Sequence, residues 1–255
     1  MASGSLSEAA SDLNGKRALV TGAGTRVGAE IARSLGALGM HVAVHYHGSR
    51  EGADATCASI AAAGGKAFPI AADLRDEQAL TQLARAAIAQ LGGLDLLVPS
   101  AASFEHGYLS QLERAEFDRT LSLNLFAPLL LAREAANALT QARGSIVFVT
   151  CISRLAPYRD YLVYQASKAA LHQAMRVLAL ELAPHVRVNA VAPGTVLPPP
   201  GMSEQAVAAL VKDIPLGRVG SAQAVARAVV QLARSPFVTG TELVVDGGVA
   251  ARAGD

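Results

Sequence analysis

The chain has 255 residues, and 22 basic against 21 acidic side chains leave a formal net charge of +1. That balance gives no electrostatic reason to expect nucleic acid or a membrane surface as a partner. Just over half of the residues are apolar and Trp is absent, which suits one large α/β domain packed by small side chains. The two cysteines, Cys57 and Cys151, form neither a disulfide framework nor a metal-binding spacing, so a reducing compartment and no metal are expected.

The first residues, MASGSLSEAASDLNG, have no basic start and no apolar stretch of the secretory kind. They read as a flexible tail over 1–14, ahead of a single domain over 15–250. The longest apolar candidate for a membrane span, LFAPLLLAREAANAL, is interrupted by Pro128, Arg133 and Glu134 and is too short and too charged to cross a bilayer. A cytoplasmic protein is expected.

The first strand, RALVT over 17–21, runs into VTGAGTRVG and then a helical pattern from Ala29 to Gly39. Gly22, Gly24 and Gly28 allow a sharp turn and a close approach to a diphosphate, which the N–H groups at the helix start would face. Arg26 stands among these glycines as a cation for an adenosine 2′-phosphate. The second strand, HVAVHY over 41–46, ends without the Asp or Glu that would bind a ribose 2′-hydroxyl. His45, Tyr46, His47, Ser49 and Arg50 occupy that tip, which favours NADP(H) over NAD. In a strand His45 and His47 would share a side, but with no third ligand in view they read as cofactor rim or structure rather than metal ligands. After the third strand, KAFPIA over 66–71, Asp73 is placed either to bond an adenine amino group or to cap the next helix, which covers 77–92.

The fourth strand, LDLLV over 94–98, leads into VPSAASF, and the fifth, SIVFVT over 145–150, into CISRLAPYRDYLVYQASK. There Tyr164 and Lys168 lie four apart on one helical face. A free phenol with pKa about 10 is a poor acid at neutral pH, and a neighbouring ammonium is expected to lower that value. Tyr164 could then give a proton to a substrate atom as hydride arrives. The helix continues over 168–183, with Leu171, Met175, Leu178 and Leu182 marking one stripe but apolar residues nearly all round, so it is buried in a core or against another subunit. The sixth strand, VRVNAVA over 186–192, precedes an excursion over about 194–218. Three prolines at 198–200 exclude a regular element there, and a short helix follows at 204–212. This segment is a substrate lid or an ordinary surface loop. The seventh strand is ELVVD over 242–246. Most of these strands are continuous apolar runs, as in a parallel sheet buried on both faces, and their alternation with helices implies βαβ units.

The loop TGAGTRVG, the Tyr164-x-x-x-Lys168 pair, NAVAPG from Asn189 and TGTELVVDGG from Thr239 together resemble the short-chain dehydrogenase/reductase family over almost the whole chain. The resemblance implies a seven-stranded parallel Rossmann sheet with helices on both faces, a nicotinamide cofactor, a small-molecule substrate and a homotetramer. It implies that Asn124 joins Tyr164 and Lys168 in the catalytic set by holding a relay water; a buried amide that satisfies backbone groups is the alternative. It extends the cofactor site to Thr25, Val27, Leu74, Ser100, Ala101, Ala102 and the run Pro193, Gly194, Thr195 and Val196. Leu197 falls beside the substrate.

Within the family the chain is most similar to pteridine reductases, through Arg26, the tip HYHGS and the segment Ala102-Ser103-Phe104. That similarity implies a flat pterin stacked by Phe104, with Ser103 touching cofactor or substrate. Three departures stand out. Pro99-Ser100 replaces a family Asn-Asn and removes a backbone donor. Gly48 replaces a base, which leaves the 2′-phosphate to Arg26 and Arg50. Cys151, thirteen residues before Tyr164, replaces the family serine that steadies the substrate oxygen. A thiol is a weak donor; Ser153 would supply a hydroxyl if its loop bends. The expectation is thus an NADPH-dependent reductase of a pterin-like C=N bond or a carbonyl. The rivals are a 3-oxoacyl-carrier-protein or general carbonyl reductase, with Arg154, Arg159 and Arg218 as a docking patch, and a cofactor-binding sensor or partner subunit weakened by Cys151.

Overall fold

The computed structural model describes residues 11–198 and 201–252. Seven strands form one parallel sheet: β1 Arg17–Val20, β2 His41–Tyr46, β3 Lys66–Ala71, β4 Leu96–Val98, β5 Ser145–Val149, β6 Arg187–Pro193 and β7 Glu242–Val245. Their order is β3-β2-β1-β4-β5-β6-β7, so the chain reverses direction across the sheet between β1 and β4. The helices are α1 Arg26–Ala37, α2 Arg50–Ala62, α3 Glu77–Leu91, α4 Arg114–Leu121, α5 Ala127–Ala142, α6 Leu162–Glu181, α7 Glu204–Lys212, α8 Ala222–Arg234 and α9 Val249–Arg252. The seven expected strands are all present, with ends shifted by up to two residues.

Period-two alternation along each strand feeds two cores. Val20, Val44, Val98, Val149 and Val191 meet α1, α2 and α8 on one face. Leu19, Leu97, Phe148 and Ala190 meet α3, α5 and α6 on the other. At the expected β4, Leu94 is buried but Asp95 turns to take the side chains of Arg17 at 2.6 Å and Lys16 at 3.3 Å. Burial pushes the carboxyl up, but those cations outweigh it and hold it below its ordinary value.

The flexible tail expected over 1–14 does not hold for its described part, which begins at Ser11. Ser11 donates its backbone N–H to the Arg234 carbonyl at 2.9 Å, and Leu13 is buried in the α1–α8 core. Between α4 and α5 the backbone widens into a π-helical turn, Ser122–Phe126, a local expansion that recurs at functional sites. Helix α7 forms where expected, capped by Ser203 Oγ on the Ala206 N–H at 3.2 Å, with none of its residues buried. Two of the three prolines, at 199 and 200, lie outside the described residues. Among the described residues, no helix is long and apolar enough to cross a membrane.

Candidate active site

The loops at the carboxyl ends of the strands converge above the β1–β4 reversal, where ligands of open α/β sheets bind. Gly22 has φ of +63°, and a Cβ there would lie 2.9 Å from Ala101 Cα, so the loops after β1 and β4 touch only because the residue is glycine. A Cβ on Gly28 would lie 2.2 Å from the Gly22 carbonyl oxygen, so α1 starts close against the loop. Helix α1 has no side-chain cap from Thr25, which leaves its first N–H groups facing the loop. Gly24 packs against Ser49 at the start of α2. These features make the expected cradle for a diphosphate, and the residues present fit a dinucleotide.

The expected rim divides into exposed and buried parts. Arg26 is exposed, has a left-handed φ of 51°, and donates to the Leu197 carbonyl at 2.8 Å across the cleft. This contact joins the loop after β1 to the run Pro193 to Leu197 after β6, in which Val196 is buried. Arg50 is exposed and pairs with Asp54 at 2.9 Å. His47 lies 3.8 Å from Asp73. Asp73 caps a turn through the Arg75 N–H at 2.9 Å, whereas Asp76 caps α3. Asp73 therefore stays at the surface beside His47, and the helix-cap alternative does not hold.

His45 corrects the expectation for the rim. It is 2% exposed, Nδ1 accepts from the Gly22 N–H at 3.1 Å, and Nε2 faces the Ala72 carbonyl at 3.2 Å. Both ring nitrogens serve backbone, so the imidazole braces the glycine loop from beneath rather than touching a ligand. His47, two residues on, is exposed. Burial lowers its pKa to about 4. Tyr46 is likewise largely buried, and Leu74 is 4% exposed.

Beyond Pro99, which has no N–H to give, the Thr21 hydroxyl holds the loop after β4 by accepting from the N–H groups of Ser100 at 3.0 Å and Ala101 at 3.2 Å. Asn124 is fully buried. Its Oδ1 accepts from Ser103 N–H at 2.9 Å, and its Nδ2 donates to Ser103 O at 3.0 Å and Ser167 Oγ at 3.2 Å. Its amide fills the buried-amide role and fixes the Ser103 peptide. Ser103 Oγ is out of water and has no hydrogen-bond partner in this structure, as suits a hydroxyl facing a ligand site.

Tyr164 and Lys168 meet as their spacing requires. Lys168 Nζ donates to the Val149 carbonyl at 2.8 Å and lies 5.9 Å from the Tyr164 ring centre. Burial lowers the ammonium to about 8. The expected lowering of the phenol is not found: burial first, then the neighbouring Cys151 and Tyr158, push Tyr164 well above its ordinary value. The ammonium is engaged by a carbonyl, so desolvation wins.

Phe104, half exposed, stacks on Tyr161 with ring centres 4.3 Å apart and meets the Tyr164 ring edge-on at 4.8 Å. His106 extends this wall, its Nε2 lying 3.0 Å from the Tyr161 hydroxyl. The sequence reading did not single out Tyr158, Tyr161 or His106, although Tyr158 and Tyr161 stand six and three residues before Tyr164.

Cys151 is buried, with Sγ 3.7 Å from the Tyr158 hydroxyl. Ser153 does not bend toward it as a donor; it sits in a 3₁₀ turn, 4% exposed, with Oγ unpartnered. Thr150 and Arg154 flank the donor segment, and both bind one buried carboxylate on β7. The Glu242 side chain is 1% exposed and accepts from Thr150 Oγ1 at 2.6 Å and Arg154 Nε at 2.6 Å. His172 Nδ1 is 3.0 Å from the same carboxylate without the alignment of a hydrogen bond. Arg154 is thereby withdrawn from the expected docking patch, while Arg159 and Arg218 remain exposed.

The family described as enoyl-(acyl carrier protein) reductase matches residues 22–250. The 3beta-hydroxysteroid dehydrogenase 1 of Eggerthella lenta is 34% identical over 93% of this chain and 95% of its own. The chain belongs to the short-chain dehydrogenase/reductase family. It is an oxidoreductase of a family that uses NAD(P)(H). Among solved structures, the FolM alternative dihydrofolate reductase 1 of Brucella canis, complexed with NADP, superposes with a TM-score of 0.88. It is 30% identical over 94% of this chain and 96% of its own. A blue fluorescent protein from a metagenomic library, in complex with NADPH, gives 0.87 at 33% identity, over 94% of this chain and all of its own.

Proposed function

We propose that this chain is an NADPH-dependent reductase of a flat, conjugated substrate, a pterin-like C=N bond or a ring carbonyl, with Tyr164 as the proton donor. The observation that carries the reading is the aromatic wall of Phe104 and Tyr161 standing against Tyr164, beside the glycine cradle. An open aromatic face next to the acid suits a planar ring. The preference for the 2′-phosphorylated cofactor is supported by two exposed guanidinia, Arg26 after β1 and Arg50 after β2, and by a β2 end, His45 to Ser49, that carries no acidic residue of its own. The NADP and NADPH complexes of the similar structures support it further.

NADPH supplies the hydride when bound. The chain's own residues do the rest. The buried, neutral phenol of Tyr164 keeps its proton until a substrate nitrogen or oxygen takes it. Lys168, fixed by the Val149 carbonyl, stands by the phenolate that remains. Asn124 holds the Ser103 peptide, and through it the loop that carries Phe104. Glu242 ties both ends of the segment around Cys151. A carrier-linked acyl substrate is less favoured, because Arg154 is neutralised by Glu242. The sensor reading is less favoured for a different reason: the residues needed for proton transfer are brought together. Assembly as a homotetramer is part of the proposal, supported by Leu180 and Val177 exposed on α6 at 81% and 43%, and mass measurement in solution tests it.

The test is NADPH oxidation with a dihydropterin and a panel of ring ketones and carrier-linked ketones, with NADH in parallel. Turnover of the dihydropterin or ring ketones with NADPH supports the reading; turnover of carrier-linked ketones alone contradicts it. Arg26→Ala with Arg50→Ala should raise the Kd for NADPH at least tenfold and leave that for NADH unchanged.

A further inference from the structure

The geometry points to Tyr158 as a further catalytic residue, whose phenol donates a hydrogen bond to the same substrate atom that Tyr164 protonates. The inference rests on the reductase reading above. Tyr158 Oη lies 3.7 Å from Cys151 Sγ, so the phenol stands at the thiol that faces Tyr164. A thiol is a poor donor and a phenol a good one, so of the two groups the phenol is the one able to steady charge on the substrate.

The phenol is held in place. Gln165, the neighbour of Tyr164 on α6, takes the Tyr158 backbone at both ends: its Nε2 donates to the Tyr158 carbonyl at 2.5 Å, and its Oε1 accepts from the Tyr158 N–H at 3.2 Å. The same helical turn thus positions both tyrosines. The Tyr158 ring also packs edge-on against Tyr161 at 5.6 Å. The turn between them is anchored by the Gly107 N–H donating to the Asp160 carbonyl at 2.9 Å and by the left-handed Asp160, φ 72°. Burial, then Cys151, push the Tyr158 phenol upward, so it keeps its proton at neutral pH. Ser153, the other hydroxyl in the segment, sits in the turn without reaching the thiol.

In this scheme hydride goes to carbon and the Tyr164 proton to nitrogen or oxygen, which accounts for both atoms added. Tyr158 makes only a hydrogen bond, strongest when charge has built up on that atom.

Tyr158→Phe, Cys151→Ser, Cys151→Ala and the Tyr158→Phe/Cys151→Ser double variant test it, with kcat measured on whichever substrate the wild type turns over. NADPH Kd and circular dichroism melts accompany each. Tyr158→Phe should lower kcat about 10²-fold with the NADPH Kd unchanged. Cys151→Ala should lose less than about threefold. Cys151→Ser installs a hydroxyl beside Tyr164, so removing the phenol in that background should cost less than about tenfold. Three results would overturn the inference: Tyr158→Phe within twofold of wild type, an equal loss in both backgrounds, or Cys151→Ala as damaging as Tyr158→Phe. A wild type that binds NADPH and reduces nothing overturns the reductase reading as well; an active wild type with an indifferent Tyr158→Phe overturns this inference alone.

Discussion

Acid should loosen this protein through His45 before it protonates most carboxylates. The folded imidazole is neutral because it is buried, and its pKa falls from 6.5 to about 4. The unfolded chain takes up that proton near 6.5, so between 6.5 and 4 the unfolded state binds more protons and stability falls as pH falls. At about 1.4 kcal/mol per pH unit, the loss reaches about 3 kcal/mol by pH 4, a large part of the ~5–15 kcal/mol that holds a typical domain together. The cause is local. A second ring proton would turn Nδ1 from an acceptor into a donor pointing at the Gly22 N–H. Urea unfolding of wild type and His45→Asn, at one protein concentration and at pH 7, 6, 5 and 4.5, isolates the effect, because other groups titrate alike in both. The wild type should lose about 2.5 kcal/mol more than the variant between pH 7 and 4.5. Parallel curves, or an NMR titration placing His45 near 6.5, would refute the reasoning.

Two further outcomes follow from close contacts. Gly28→Ala places a Cβ 2.2 Å from the Gly22 carbonyl oxygen, so α1 must move off the loop; NADPH affinity measured by fluorescence should fall at least tenfold. Glu242→Gln leaves Arg154, partly exposed, without its carboxylate. Unfolding should show a loss of about 2 kcal/mol, below the ~3–5 kcal/mol for a fully buried pair, and kcat should fall about tenfold as the donor segment loosens, with NADPH binding kept.

Continuous apolar runs made the sheet legible in the sequence, because a strand buried on both faces has one simple signature. The glycine loop and the Tyr164–Lys168 pair were legible for a similar reason: each is a local spacing with one geometric meaning. What escaped was set by topology. Glu242 lies about ninety residues from Thr150 and Arg154 in sequence, and only the side-by-side order of β5, β6 and β7 joins them. For His45 the sequence left cofactor rim and structure both open, because a strand pattern assigns a side to a residue but does not say what covers that side; here it is the Gly22 turn. Tyr158 was local enough to find. The signal was a second tyrosine half-way between Cys151 and Tyr164, where the sequence reading asked only for serine hydroxyls. The pKa of Tyr164 was misjudged because helical spacing shows Lys168 nearby but not that its ammonium is engaged by the Val149 carbonyl.

The most direct test of the central claim is kcat for Tyr164→Phe against wild type on the substrate that the panel identifies, with NADPH binding measured on both. A loss of at least about 10²-fold in kcat with unchanged NADPH affinity is the result the account predicts. A variant that reduces substrate as fast as wild type would contradict it, since a group other than Tyr164 would then have to supply the proton.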